Sequence, residues 1–234
     1  MQSLKFSIIL PVYNQSLHIQ EIIKQYDSEL QKFPAQYEII LVVNGGKDNS
    51  LEICQKLSQE YKFIRVVHLK QTGWGLAVKK GIAEASGDFI CYTNSARTQA
   101  KDLLLFLLYA YTNQQTVIKA NRKIRESWQR RIGSFLYNVE CRTLLDLPYW
   151  DINGTPKIFP RECKELLSLS REDDLIDVEF NYICKKFDYP MIEIPVFSFK
   201  RHGGKSTTGY NSAFKMYWGV FLFWLKARRL ESHG

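Results

Sequence analysis

An α/β protein with a mostly parallel sheet is the fold class this sequence predicts. Strand-like apolar runs alternate with helix-like amphipathic runs through the whole first half of the chain. That rhythm places helices on a sheet of βαβ units. Composition agrees: of 234 residues, 45% are hydrophobic and 24% charged, a globular balance that excludes disorder. One core-forming domain of the larger kind fits this length.

"LKFSIILPV" reads as a buried first strand. In "HIQEIIKQYDSEL" the apolar Ile19, Ile22, Ile23, Tyr26 and Leu30 recur at helical spacing. "YEIILVV" is a second strand and "SLEICQKLSQEY" a second helix, with Ser50 as its N-cap. "FIRVVHL" and "GLAVKKGIAEA" repeat the pattern, as do "DFICYT" and "LLLFLLYAY", and "TVIKA" is a fifth strand. The second half is less regular. "SWQRRIGSFLYNVECRTLLDL" and "DDLIDVEFNYICKKF" read as helices. "WDINGTPKIF" contains Asn153-Gly154, a hairpin signal. "YPMIEIPVFSF" alternates as an edge strand does, with prolines at 190 and 195. A basic, glycine-bearing loop, "KRHGGKSTTGYN", follows. We divide the chain into one α/β domain, residues 1–211, and an aromatic-rich amphipathic helix, residues 212–234.

Ten uncharged, mostly large apolar residues lie between Lys215 and Lys226 in that last helix. A bilayer-spanning helix needs about 20. Aromatic residues flanked by Lys and Arg over 213–230 instead fit a helix lying in a membrane interface, or one packing on the domain or on a second copy. Net charge is +8, and the cations cluster. Lys200 to Leu230 hold seven Lys or Arg and no acid, and "KANRKIRESWQRR" holds six against one acid. Two such clusters suit a phosphate-bearing ligand. No motif for reading nucleic acid accompanies them. The five cysteines, at 54, 91, 141, 163 and 184, are widely spaced and odd in number, so they predict buried thiols rather than disulfides or zinc. The opening "MQSLKFSIILPVYN" lacks the pattern of a signal peptide, so a cytoplasmic protein, peripheral on the inner face of the membrane, is the expectation.

In such a sheet ligands bind at the carboxyl ends of strands. The fourth strand feeds the polar turn Thr93-Asn94-Ser95-Ala96-Arg97. Five stretches then resemble, in chain order, the inverting family 2 glycosyltransferases of GT-A fold. "FSIILPVYNQSLHIQEII" is similar to their first strand and its Pro-x-Tyr-Asn/Glu turn. "EIILVVNGGKDNS" resembles their second strand and turn, and "GWGLAVKKGIAEASGDFI" their Gly-rich segment. "WDINGTPKIFPRE" and "IEIPVFSFKRHGGKST" resemble the dolichol-phosphate-mannose synthase-like branch. The resemblance covers roughly residues 4 to 210.

It implies a nucleotide-sugar donor and a lipid-linked or glycan acceptor. Pro11, Tyr13, Asn14, Asn44 and Gly75 would then frame the nucleotide. Asn44 either reads a base edge or is a left-handed turn residue before Gly45-Gly46. Asp48 starts the next helix. In the family an Asp-x-Asp turn holds a divalent ion, which stabilises the departing diphosphate. Here Asn94, Ser95 and Ala96 stand at those positions, with Arg97 beside them. Mg²⁺ and Mn²⁺ want charged oxygens, so this turn argues against a tight metal site. Arg122, Arg201, Lys205 and Ser206 are the expected phosphate ligands in its place, with Lys157 and His202 as further contacts. Asp151 and Asn153 match the branch's Asp-x-x-Ser-Gly stretch, which makes Asp151 the candidate general base, or else the opening residue of an Asx turn. A lipid phosphate acceptor, already ionised, would need no base. Glu179 is an acidic site residue by resemblance or one half of a structural ion pair. A second reading is a catalytically silent nucleotide-binding or partner subunit.

Overall fold

Alternate residues of the two central strands face opposite ways, and both faces are apolar. This is why the strands lie inside a sheet covered on each side. The computed structural model describes residues 4–123, 128–197 and 210–231. Seven strands form one sheet: β1 (Lys5–Val12), β2 (Gln36–Asn44), β3 (Ile64–Leu69), β4 (Phe89–Tyr92), β5 (Val117–Arg122), β6 (Lys157–Pro160) and β7 (Met191–Val196). Their order is β3-β2-β1-β4-β6-β5-β7. Every pairing is parallel except those of β6, which runs antiparallel to both β4 and β5.

Ile8, Leu10, Ile39 and Leu41 pack on one face against α1 (Ile19–Leu30), α2 (Ser50–Glu60) and α4 (Ala100–Thr112). Ile9, Ile40, Val42 and Tyr92 pack on the other against α3 (Trp74–Glu84) and α6 (Ile176–Lys186). A third, smaller core joins α5 (Trp128–Leu145), α6 and α7 (Tyr210–Glu231) through Tyr137, Cys141, Leu145, Val178 and Val220. Gly219 lets α7 lie flat on Leu175, because a Cβ there would stand 2.5 Å from Leu175 Cδ1. All five cysteines are buried and free.

Several expectations change in register or partner. The Asn153-Gly154 pair is not a hairpin. Gly154 N donates to Asp151 O at 2.7 Å, closing a tight turn, and the chain before it is not a strand. Long-range pairing sets the fate of β6: it inserts between β4 and β5. Ser50 is the first residue of α2 rather than its cap, and Asn49 precedes it. β7 is the edge strand the alternation predicts, parallel to β5. Among the described residues, no helix is long and apolar enough to cross a membrane.

Candidate active site

Strand order reverses at β1, with β2 on one side and β4 on the other. That is the switch point where an open α/β sheet forms a crevice. Pro11 shows how the sequence opens it. Pairing of β1 with β4 ends at Ile9–Tyr92, while pairing with β2 continues to Val12–Val43. Ile9 O accepts from Thr93 N on the β4 side. Pro11, two residues on, would aim an N–H the same way, and it has none to satisfy.

The β1 and β2 ends are tied together. Asn14 sits at φ 49°, in the left-handed region that Asn tolerates, and its Oδ1 accepts from Lys47 N at 2.9 Å. Asp48 accepts from Ser16 N and from Ser50 N and Oγ. Burial opposes its charge, but these bonds outweigh burial and hold its carboxyl down to about 2. Asp48 therefore clamps two loops, a larger role than opening a helix. Tyr13 remains 38% exposed at the mouth. Asn44 is 4% exposed at the end of β2. Its Nδ2 donates to Gly73 O at 2.9 Å, while its Oδ1 is buried with no partner among the described residues. The left-handed residue is Gly45 at φ 64°, which leaves Asn44 in the strand. Gly75 is needed for packing: a Cβ would lie 2.4 Å from Asp173 O, so α3 starts in contact with the 172–173 loop backbone.

The "TNSAR" turn is drawn inward. Asn94 Oδ1 accepts from Ala96 N, and Asn94 O accepts from Arg97 N and Thr98 N. Ser95 is fully buried, and its hydroxyl donates to Gln15 Oε1 at 2.8 Å, across the foot of the crevice. Ala96 is buried, and Arg97 is of intermediate exposure. These donors do not fit a divalent cation. One oxygen is engaged by a backbone N–H, one is a neutral buried hydroxyl, and the third side chain has no ligand atom. Among the described residues no cluster of three metal-ligating side chains occurs. Ser95 and Ala96 are both buried, and the Ser95 hydroxyl is engaged by Gln15.

The second wall is ionic. Asp151, 4% exposed, sits at φ 45°, a strained position for a non-glycine residue. Its Oδ2 accepts from Arg122 N at 2.8 Å and Arg122 Nε at 2.7 Å, and its Oδ1 from Arg122 Nη2 at 2.8 Å. Burial disfavours the guanidinium's charge, but the Asp151 carboxylate outweighs that and holds it above its ordinary value. The candidate base and a candidate phosphate cation thus neutralise each other. Asn153 keeps a buried Oδ1 with no partner among the described residues.

Beneath them lies a buried pair of cations that the sequence does not announce. Lys119 and Lys157 are register partners on β5 and β6, both fully buried. Lys119 pairs with Glu193 at 2.7 Å. Lys157 pairs with Asp177, which also accepts from Tyr92 OH at 2.9 Å and Trp74 Nε1 at 3.1 Å. Burial pushes the Lys157 ammonium below its ordinary value, only partly opposed by Asp177. Phosphate contact by Lys157 is therefore corrected: its charge is enclosed and neutralised. Glu179 accepts from Ser170 N and Arg171 N, holding the loop before α6, and forms no ion pair among the described residues. Arg201, His202, Lys205 and Ser206 lie outside the described residues. Gln15, Asp177, Lys119 and Glu193 were missed. The one available signal was an acid inside the apolar run "LIDVEF".

A seven-stranded α/β sheet with a polar crevice at its switch point defines a ligand-binding class, not yet a chemistry. The model of glycosyl transferase family 2 matches residues 7–162, and the chain belongs to that family. It is 28% identical over 129 residues to a dolichol-phosphate mannosyltransferase of Pyrococcus furiosus, covering 53% of this chain and 36% of that protein. It is 25% identical over 207 residues to an undecaprenyl-phosphate 4-deoxy-4-formamido-L-arabinose transferase of Edwardsiella ictaluri, covering 87% of this chain and 62% of that one. The chain thus spans less than two thirds of either relative. Among solved structures, glucosyl-3-phosphoglycerate synthase from Mycobacterium tuberculosis, in complex with Mn²⁺, UDP and phosphoglyceric acid, superposes with a TM-score of 0.68. It is 17% identical, over 93% of this chain and 76% of that one, a likeness of fold.

Proposed function

We propose that this protein is an inverting glycosyltransferase that moves a sugar from a nucleotide donor to an anionic, lipid-linked acceptor. Asn44 carries the donor half of this reading. Its amide nitrogen is fixed by Gly73 O and its buried oxygen is unpartnered, so a preset acceptor awaits the N–H of a uracil or guanine edge. Tyr13 and Asn14 frame the base and ribose, and Gly75, at the start of α3, stands beside the donor. Asn94 and Arg97 stand at the sugar-diphosphate, with Arg201, Lys205 and Ser206 as its remaining ligands. Charge growing on the departing diphosphate is met by these cations rather than by carboxylate-held metal.

The acceptor half rests on the Asp151–Arg122 pair. A base bound bidentately by a guanidinium is poorly suited to take a proton from a neutral hydroxyl. An acceptor that is already a phosphate anion needs no such step, and two relatives are named for lipid phosphates. Asp151 then positions Arg122, and Asn153 offers its unpartnered oxygen to the acceptor or sugar. Peripheral membrane contact through residues 213–230, on the inner face, completes the reading. A glycan acceptor is the competing outcome. The test is a panel of nucleotide sugars offered with a short-chain polyprenyl phosphate or a soluble glycan. Transfer to the phosphate supports the proposal, and transfer only to the glycan overturns its acceptor half. Nucleotide binding without any turnover would favour the silent-subunit reading, which the same ion pair also permits.

A further inference from the structure

α5 is apolar on two opposite faces. Its inner face, Tyr137, Cys141 and Leu145, belongs to the third core. Its outer face carries Trp128, Ile132, Phe135, Leu136 and Val139, spaced as one helical stripe. All five are exposed, Trp128 at 68% and Phe135 at 57%. A surface helix normally turns charge outward, and a contiguous apolar stripe of this kind marks an interaction surface.

Charge selects the partner. Arg131 is exposed beside the stripe, and the only acid on α5 is Glu140. Burial pushes that carboxyl up to about 7, so it carries only part of its negative charge at neutral pH. The neighbouring α7 exposes Lys215, Lys226, Arg228 and Arg229, and has no acid before Glu231. Tyr217 OH donates to Gly133 O at 2.7 Å and joins the two helices. α7 adds a row of rings, Trp218, Phe221 and Trp224, with Arg228 over the last at 4.7 Å. Apolar and aromatic residues framed by cations complement an anionic membrane surface. A second copy of these two helices would offer those cations no acid before Glu231 other than the half-buried Glu140. The stripe also leads to the candidate site. Arg142, three residues beyond Val139 on the same side of α5, stacks on the Trp150 ring at 3.8 Å, and Trp150 directly precedes Asp151.

We propose that the outer stripe of α5 docks the protein on an anionic lipid bilayer, lying in the interface plane and holding the acceptor side of the crevice against the membrane. This rests on and deepens the lipid-acceptor reading, and adds to it the outer face of α5, which that reading does not use.

The experiment is flotation of the full chain on phosphatidylcholine vesicles with and without phosphatidylglycerol. The variants are Ile132→Asp with Phe135→Asp, Phe135→Asn alone, and Trp218→Asp. Thermal melting checks folding, which exposed positions should leave unchanged. The wild type is expected to float with the anionic vesicles, and the α5 double variant to partition at least about tenfold less. Phe135→Asn should show a smaller loss in the same direction, and it carries the test should the double variant misfold. Equal flotation of wild type and α5 variants overturns the proposal, as does loss confined to Trp218→Asp. So does a wild type that ignores anionic vesicles and whose sedimentation shows a dimer that the α5 variant dissolves. Nucleotide-induced thermal shift on the same samples separates the two readings. A lost shift with retained flotation would sink the donor assignment and leave this one standing.

Discussion

Replacing Arg122 with Gln probes the ionic wall most sharply. The substitution removes two side-chain bonds to Asp151, at 2.7 and 2.8 Å, and keeps the one from the Arg122 backbone N–H. Asp151 is 4% exposed, so its buried carboxylate loses two of the short bonds that meet its charge. Breaking a buried pair by removing one partner costs roughly 3–5 kcal/mol. The surviving backbone bond puts this case near the lower end, about 3 kcal/mol. For a domain of this size 1 kcal/mol shifts Tm by about 2–4 °C, so the expected fall is roughly 6–12 °C. Asp151→Asn leaves a guanidinium that is partly exposed and can reach water, so it should cost less, about 1–2 kcal/mol. Because the two changes remove one interaction, the double variant should be more stable than their sum predicts, with a coupling of about 1–2 kcal/mol. Calorimetry or chemical unfolding of the four proteins reads all of this. A fall under about 2 °C for Arg122→Gln, or strict additivity, would refute the claim that these residues hold each other.

Other expectations follow from neighbouring contacts. Glu38 is held down to about 2 because hydrogen bonds from Ser86 and Ser7 outweigh its burial. Its contribution is therefore present above the ordinary carboxyl value and is lost as pH falls towards 2. Glu38→Gln should flatten the acid limb of a stability–pH curve by up to about 3 kcal/mol, and an unchanged limb would remove Glu38 from the acid response. Gly154→Ala would place a Cβ 1.9 Å from Ala120 O. Backbone must move, so a loss of at least about 3 kcal/mol in chemical denaturation is expected, and a near-neutral result would contradict the turn described. Lys157→Met strips the buried cation from Asp177, leaving it Tyr92 and Trp74. Unfolding should show a cost of about 3 kcal/mol, largely recovered when Asp177→Asn is added; no recovery would mean the pair is not the source.

The sheet was legible in the sequence because its strands are uninterrupted apolar runs, buried on both faces, separated by amphipathic helices. Local chemistry also located the crevice: Pro11, the Asn14 turn and the "TNSAR" stretch all lie at strand ends. What failed was long-range. Asn153-Gly154 encodes a tight turn, but which strands β6 joins depends on chain more than 30 residues away in sequence, at β4 and β5. Lys157 read as a phosphate contact and Lys119 as part of a basic cluster, because their acid partners come from α6 and β7. Gln15 is an unremarked loop amide until Ser95 approaches it from β4. Gly75 was singled out as a nucleotide contact by resemblance, whereas the demand for glycine that the structure shows there, a backbone contact with the 172–173 loop, is tertiary.

The central claim is a nucleoside diphosphate held by Asn44 and by cations, at a turn whose donors do not fit a metal. The direct measurement is thermal shift with UDP and with GDP, each in EDTA and in Mn²⁺. Stabilisation by one nucleotide, of similar size in both buffers, is expected, with its loss on Asn44→Ala. Stabilisation that appears only with Mn²⁺ would contradict it.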